Sequence, residues 1–322
     1  MTKKIPFLHE RDDFADLLRV VADRLSIEPV LVEKDYWLMH CLWGLQQPMG
    51  NEARLHFELK GGTSLSKGFR IIDRFSEDID IRIEPPAELD VKAGKNQDKP
   101  AHVASRGRFY DWLAEIIRIP GIEAVQRDTE FDDAKLRSAG IRLIYPTRFA
   151  SLAGVKPGIL LELGFDDTAP NVPCTISSWA WDAAASSNVA TIDNRAIDIP
   201  CYSPAYTLVE KLQTISTKFR LQQAHGGFPR NFLRHYYDVY CLLDDPSVQK
   251  FIGTPEYAKR KMQRFRAGDN LDIASNEAFI LSDPATRTLF EAEYLKTAAL
   301  YFKGQIPLAD ILERLKKNLS RL

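Results

Sequence analysis

Leu55-His-Phe-Glu-Leu59 alternates polar and apolar residues as a strand does, and the run ends on Gly61-Gly62. Thr63 to Ile72 has the composition of a short helix. Ile79, Ile81 and Ile83 then alternate with Asp78, Asp80 and Arg82, the period of a second strand with one apolar face. Glycines let a backbone approach a ligand closely, and the free amides that open a helix favour a phosphate. The hydroxyl residues Thr63 and Ser64 stand where that helix begins.

Asp78 and Asp80 are two apart on a strand, so both carboxylates leave the same face. Such a pair suits Mg²⁺, which binds through one or two carboxylates plus substrate phosphates. A third acid on a neighbouring strand would complete a two-ion site. Glu162, alone in the apolar run Leu160-Leu-Glu-Leu-Gly164, is the candidate, since a lone acid there is costly to bury unless paired or bound to metal. Glycine cradle, Asp-x-Asp strand and later acid, in that order, form the pattern of nucleotidyltransferases of the DNA-polymerase-β type. In that chemistry two ions stabilise the attacking and leaving oxygens as a hydroxyl displaces pyrophosphate.

The run Gly-Gly-Thr-Ser-Leu-Ser-Lys-Gly…Arg-Phe-Ser-Glu-Asp-Ile-Asp resembles the nucleotidyltransferase toxins of the AbiEii/AbiGii type, from bacterial toxin–antitoxin and phage-abortive systems. Val32-Glu-Lys-Asp-Tyr-Trp37 resembles the segment that this family places ahead of its glycine motif. Val209-Glu-Lys-Leu-Gln-Thr resembles its helical lysine motif, and Arg234-His-Tyr-Tyr-Asp-Val-Tyr its Arg-Asp-x-x-Asp-Leu motif. His235 stands where the family usually has the first Asp of that last motif.

The resemblance spans Val32 to about Leu243. It implies nucleotide binding by Gly61, Gly62, Thr63, Ser64, Lys67, Ser76 and Lys211. It implies catalysis by Asp78, Asp80, Lys211 and Asp238, and metal binding by Asp78, Asp80 and Glu162. Lys211 would pair with triphosphate oxygens, while Asp238 would accept a proton or orient Lys211. The implied cofactor is Mg²⁺, or Mn²⁺ in its place, with an NTP as substrate, tRNA as acceptor and a cognate antitoxin as partner. Alternatives are an NTP-binding module acting through a partner, or nucleotidylation of a protein or small-molecule hydroxyl.

The expected architecture is α+β, a mixed-sheet nucleotidyltransferase domain with N-terminal helices over 1–200 and a helical domain over 201–322. In the first half, helices are expected at about 10–25, from about Pro29 to Gln46 behind a Ser26 cap, and at Phe109–Ile117. Pro85–Arg106 is expected as a long loop, and strands at Ile122–Val125, Ile141–Tyr145 and Ile159–Phe165. After Ser203-Pro204, helices are expected to about Gln223 and at Phe232–Leu243, Pro255–Arg266, Ala285–Tyr301 and Leu308–Leu319.

Four scattered cysteines with no Cys-x-x-Cys pair argue against a disulfide scaffold or zinc ribbon. The most apolar stretch, Tyr36–Leu45, is half a membrane span, so the expected location is cytoplasmic with no membrane partner. The 43 basic and 44 acidic residues exclude a strongly basic nucleic-acid coat. Lys211 to Arg266 nonetheless carries 11 Lys or Arg against 4 Asp or Glu, a local surplus that phosphate contacts to RNA could use.

Overall fold

The computed structural model describes residues 5–48, 54–150, 152, 156–229 and 231–322. Two compact units emerge, one of residues 1–68 with 76–202 and the other of residues 69–75 with 203–322.

The first unit is built on one mixed sheet. Its strands are β1 (His56–Lys60), β2 (Asp78–Glu84), β3 (Ala124–Asp128), β4 (Ser138–Ile144), β5 (Ile159–Gly164), β6 (Asn171–Ile176) and β7 (Ala196–Tyr202). They lie in the order β3-β4-β5-β2-β1-β7-β6. β2 runs antiparallel to β1 and parallel to β5, and β7 runs parallel to β1. Ile79, Ile81 and Ile83 are buried on one face of β2, as their spacing predicts. The sheet bears out the α+β class. β6 and β7 go beyond the expected strands; Pro173 and Pro200 face each other across that pair and break the apolar alternation a strand reading depends on.

Helices α1 (Phe14–Leu25), α2 (Pro29–Leu45), the single turn α3 (Gly61–Thr63), α4 (Pro100–Ile116) and α5 (Trp179–Ser186) complete this unit. Ser26 is not the cap of α2. It takes the left-handed conformation that ends α1 (φ 55°), and Pro29 opens α2 after Glu28. α2 is apolar nearly all round, and its buried surface lies against β2, β5 and β7. The expected loop Pro85–Arg106 is shorter than its composition suggests, because Pro100 starts α4. Arg106 is fully buried and donates to the carbonyls of Lys92, Gln97 and Lys135, which pins the polar segment before it.

α2 also carries three consecutive charges, Glu33, Lys34 and Asp35, none more than 1% exposed. Each is satisfied by a different segment. Glu33 accepts from the Thr147 hydroxyl (2.8 Å) and the Arg148 amide (2.7 Å). Lys34 donates to Glu77 (3.3 Å) and to the Lys156 carbonyl (2.5 Å). Asp35 pairs with Lys67 and accepts from the Trp179 amide at the start of α5 (2.8 Å).

The second unit is helical, with α6 (Pro204–His225), α7 (Arg234–Leu242), α8 (Pro246–Phe251), α9 (Pro255–Arg264), α10 (Glu277–Ile280), α11 (Pro284–Leu295) and α12 (Leu308–Asn318). Pro204 opens α6 as expected, although Ser203 makes no side-chain cap bond. α11 ends at Leu295 rather than Tyr301, where the chain turns back so that Tyr301 bridges Arg74. α8 lies outside the expected helices; Asp245 caps it through the amides of Ser247 and Val248. No helix among the described residues is long and apolar enough to cross a membrane, and the four cysteines are free thiols.

Candidate active site

In the first unit the candidate residues converge where β1 ends and β2 begins. Gly61 leaves β1 with φ +71°, and a Cβ on it would stand 2.1 Å from Asp80 Oδ2. A side chain is therefore opposed twice, by the left-handed backbone and by the carboxylate it would have to displace. The chain continues through α3 into a wider π-type turn, Ser64–Gly68, a form of helix often found at functional sites. The Thr63 hydroxyl bonds the Asp78 carbonyl and the Ser76 hydroxyl (3.0 Å), and Ser64 Oγ donates to the Gly61 carbonyl (3.0 Å). Both hydroxyls thus brace the turn from within, and the groups left to meet a phosphate are backbone amides. Lys67 lies over the Trp179 ring (4.5 Å) and pairs with Asp35, so its ammonium anchors the turn to α2 and α5.

Register brings the acids together. β2 pairs with β5 so that Asp80 faces Glu162, and Asp78 and Asp80 share a face. Burial, together with the negative charges of Asp80 and Asp78, pushes the Glu162 carboxyl up to about 8, and it hydrogen-bonds Asp80. Burial likewise raises Asp78, against the pull of Lys156, whose Nζ lies 3.4 Å from Asp78 Oδ2. The other oxygen, Asp78 Oδ1, is buried without a hydrogen-bond partner.

A hard divalent cation suits this donor set, because three carboxylates crowd together with Lys156 as the near counter-charge and one oxygen is orphaned. Among the described residues, no three His, Cys, Asp or Glu side chains are grouped to hold a metal by themselves. The fit is to an ion held by Asp78 and Asp80 and completed by substrate phosphates.

In the second unit Asp238 is fully buried on α7. Arg74 grips it through two bonds (Nε–Oδ1 2.6 Å, Nη2–Oδ2 2.8 Å), and Lys211 of α6 approaches Oδ2 at 2.8 Å. Burial would raise this carboxyl, but Arg74 and Lys211 outweigh it and hold it far below the usual carboxylate range. His235 lies between two ammoniums, with Lys211 Nζ 3.4 Å from Nδ1 and Lys218 Nζ 3.5 Å from Nε2. Burial and those two charges push its pKa well below 6.5, so it is neutral. Lys211 and Lys218 are two helical turns apart on one face of α6. Two cations, Arg74 and Lys211, on one carboxylate leave a positive surplus.

A family model described as nucleotidyl transferase AbiEii toxin, type IV toxin–antitoxin system, matches residues 50–314. The chain belongs to the AbiEii nucleotidyltransferase toxin family. The match extends past Leu243 into the tail that the motifs leave unassigned, and begins after Val32–Trp37. AbiEii membership makes the chain a nucleotidyltransferase and a toxin-system component, for which an NTP substrate and an antitoxin partner are implied.

Among solved structures, MenT4, a nucleotidyltransferase toxin from Mycobacterium tuberculosis H37Rv, is similar over 94% of this chain and 98% of its own, with 14% identity and a TM-score of 0.47. Terminal uridylyl transferase 4 from Trypanosoma brucei with bound dUTP is similar over 78% of this chain and 64% of its own, with 12% identity and a TM-score of 0.29. No curated protein matches.

Within this AbiEii chain, two groups carry signals that spacing does not reveal. Arg74 opens the Arg-Phe-Ser-Glu-Asp run, yet its partner Asp238 is 164 positions away. Lys156 belongs to a loop with no motif. The basic surplus of Lys211–Arg266 is also partly neutralised. Arg260 and Arg264 both pair with Glu210, and Arg220 pairs with Asp269.

Proposed function

We propose that this chain transfers a nucleotidyl group from an NTP to a hydroxyl of tRNA in the cytoplasm, releasing pyrophosphate and inhibiting growth until a cognate antitoxin counters it. The observation that carries this reading is the β2–β5 register, which sets Glu162 opposite Asp80 beside a glycine turn where a side chain would displace Asp80. Asp78 and Asp80 would hold Mg²⁺ or Mn²⁺, which when bound polarises the phosphate oxygens and offsets charge on the leaving group.

The amides of the Gly61–Ser64 turn, braced by Ser76, receive phosphate oxygens. Lys67 keeps that turn in place through Asp35. The acceptor oxygen bonds the α-phosphorus, the bond from that phosphorus to the bridging oxygen breaks, and pyrophosphate leaves with the electron pair. Glu162, which faces Asp80 across the β2–β5 pair, takes the acceptor's proton as its carboxylate. Asp238 is unsuited to that task, since Arg74 and Lys211 engage both its oxygens; we assign it the orientation of Lys211, and Lys211 the triphosphate oxygens.

The test supplies each of the four labelled NTPs with total tRNA and, separately, with protein extract. Label is expected in tRNA, and Asp80→Ala should lower the rate about 10³-fold or more, the scale of losing several kcal/mol of transition-state stabilisation. Absence of label with every NTP, together with undiminished toxicity of Asp80→Ala, overturns the proposal.

A further inference from the structure

The acid-bearing face of the sheet does not stop at β5. β4 continues it, with Gly140 paired to Glu162. A Cβ on Gly140 would stand 2.5 Å from the Asp128 carbonyl and 2.9 Å from Phe131 Cβ, so the turn Thr129–Phe131 folds down onto the position that this glycine leaves open. Phe131 is the lone apolar residue in Asp128-Thr-Glu-Phe-Asp-Asp133, and it is half-buried rather than part of the core. Lys156 joins the ring to the acids. Its Nζ lies 4.5 Å from the Phe131 ring centre and 3.4 Å from Asp78 Oδ2.

The chemistry assigns this flank to one of the two substrates. The glycine turn follows β1 on one side of β2, whereas Glu162, Gly140 and Phe131 lie on the other. In a phosphoryl-type displacement the attacking and leaving oxygens stand roughly in line on opposite sides of phosphorus. With the triphosphate over the glycine turn, the attacking hydroxyl arrives from the β5–β4 flank. An aromatic ring beside a lysine is the pairing that holds an unpaired nucleotide, the ring against the base and the ammonium on the backbone phosphate.

We infer that Phe131 and Lys156 form an acceptor subsite for the single-stranded end of an RNA, with Phe131 packing against its terminal base. This rests on the reading that the acceptor is RNA.

The experiment measures transfer by the full chain with tRNA varied at saturating NTP, and then with NTP varied at saturating tRNA. Phe131→Leu keeps apolar bulk above Gly140 but removes the π-face, while Phe131→Trp keeps a stacking surface. Phe131→Leu should raise KM for tRNA about tenfold, the scale of one base–aromatic stack, with kcat and KM for NTP nearly unchanged, and Phe131→Trp should stay near wild type. Lys156→Gln, which leaves the ring in place, should raise KM for tRNA and flatten its salt dependence. Binding of tRNA by gel shift, without NTP, should weaken in parallel. A rise in KM for NTP instead of tRNA, or no change in either for Phe131→Leu and Lys156→Gln, overturns the inference while the transfer reading stands. A wild-type chain that labels no RNA overturns the acceptor reading itself, and this subsite with it.

Discussion

Two clusters of ionised groups sit in this chain, and they are opposites. On β2 and β5, Asp78, Asp80 and Glu162 crowd together with Lys156 as the near counter-charge, and burial plus mutual repulsion raises Glu162 to about 8. On α7, Asp238 has more positive charge than it needs, from Arg74 and Lys211, and is pushed the other way. The same chemical group, similarly removed from water, moves in opposite directions because of its neighbours. The first cluster is short of positive charge, as the proposed cation site requires. The second is complete as folded, and its carboxylate holds cations in place.

The largest effect expected from this contrast is on Asp238. Asp238→Ala leaves the Arg74 guanidinium buried without its partner and should cost about 3–5 kcal/mol of stability, read from denaturant unfolding. A nearly unchanged midpoint would break the comparison, because the second cluster would then not depend on its central charge.

Glu162 gives the next largest effect, through pH. Its folded-state value of about 8 lies above the ordinary 4.5, so the folded chain holds this proton more tightly than the unfolded chain. That contribution is fully present below about 4.5 and is lost as pH rises through 8. Without divalent ions, stability should therefore fall as pH rises from 4.5 to about 9 through this group, and Glu162→Gln should remove that slope. A wild-type stability that rises over the same window through this residue would contradict the crowding of the first cluster.

Gly61→Ala sharpens the picture with the smallest change. The left-handed backbone costs about 1–2 kcal/mol for a residue with a side chain, and the methyl must also displace Asp80. Thermal unfolding should show that modest loss, while transfer should fall further than stability does, because the displaced group is a proposed metal ligand.

Much of the first cluster is legible in the sequence alone. Ile79 between Asp78 and Asp80 fixes the face of both acids through the period of a strand, and Glu162 stands out because its neighbours are all apolar. Local pattern is enough there, since the determinants lie within a few residues. The second cluster is legible only in part. Resemblance points to Lys211 and Asp238, but the bidentate grip of Arg74 depends on a chain reversal that no periodicity encodes. Lys67 illustrates the same limit. Beside two glycines it looks like a phosphate ligand, whereas its partner Asp35 comes from a helix whose three successive charges give no outward sign of being buried. The start of α4 at Pro100 is hidden for a plainer reason, because the segment before it is polar and Arg106 ties it down through carbonyls rather than through apolar contacts.

Those three charges on α2 have a further consequence. Adjacent residues on a helix point about 100° apart, and Glu33, Lys34 and Asp35 each find their partner in a different direction, at Thr147–Arg148, Glu77–Lys156 and Lys67–Trp179. Turning α2 by a single residue would strand all three ions at once. The helix therefore works like a key with three teeth. It enters the fold in one orientation, and when it does, the phosphate turn, the lysine loop beside Asp78 and the start of α5 are locked in the same movement.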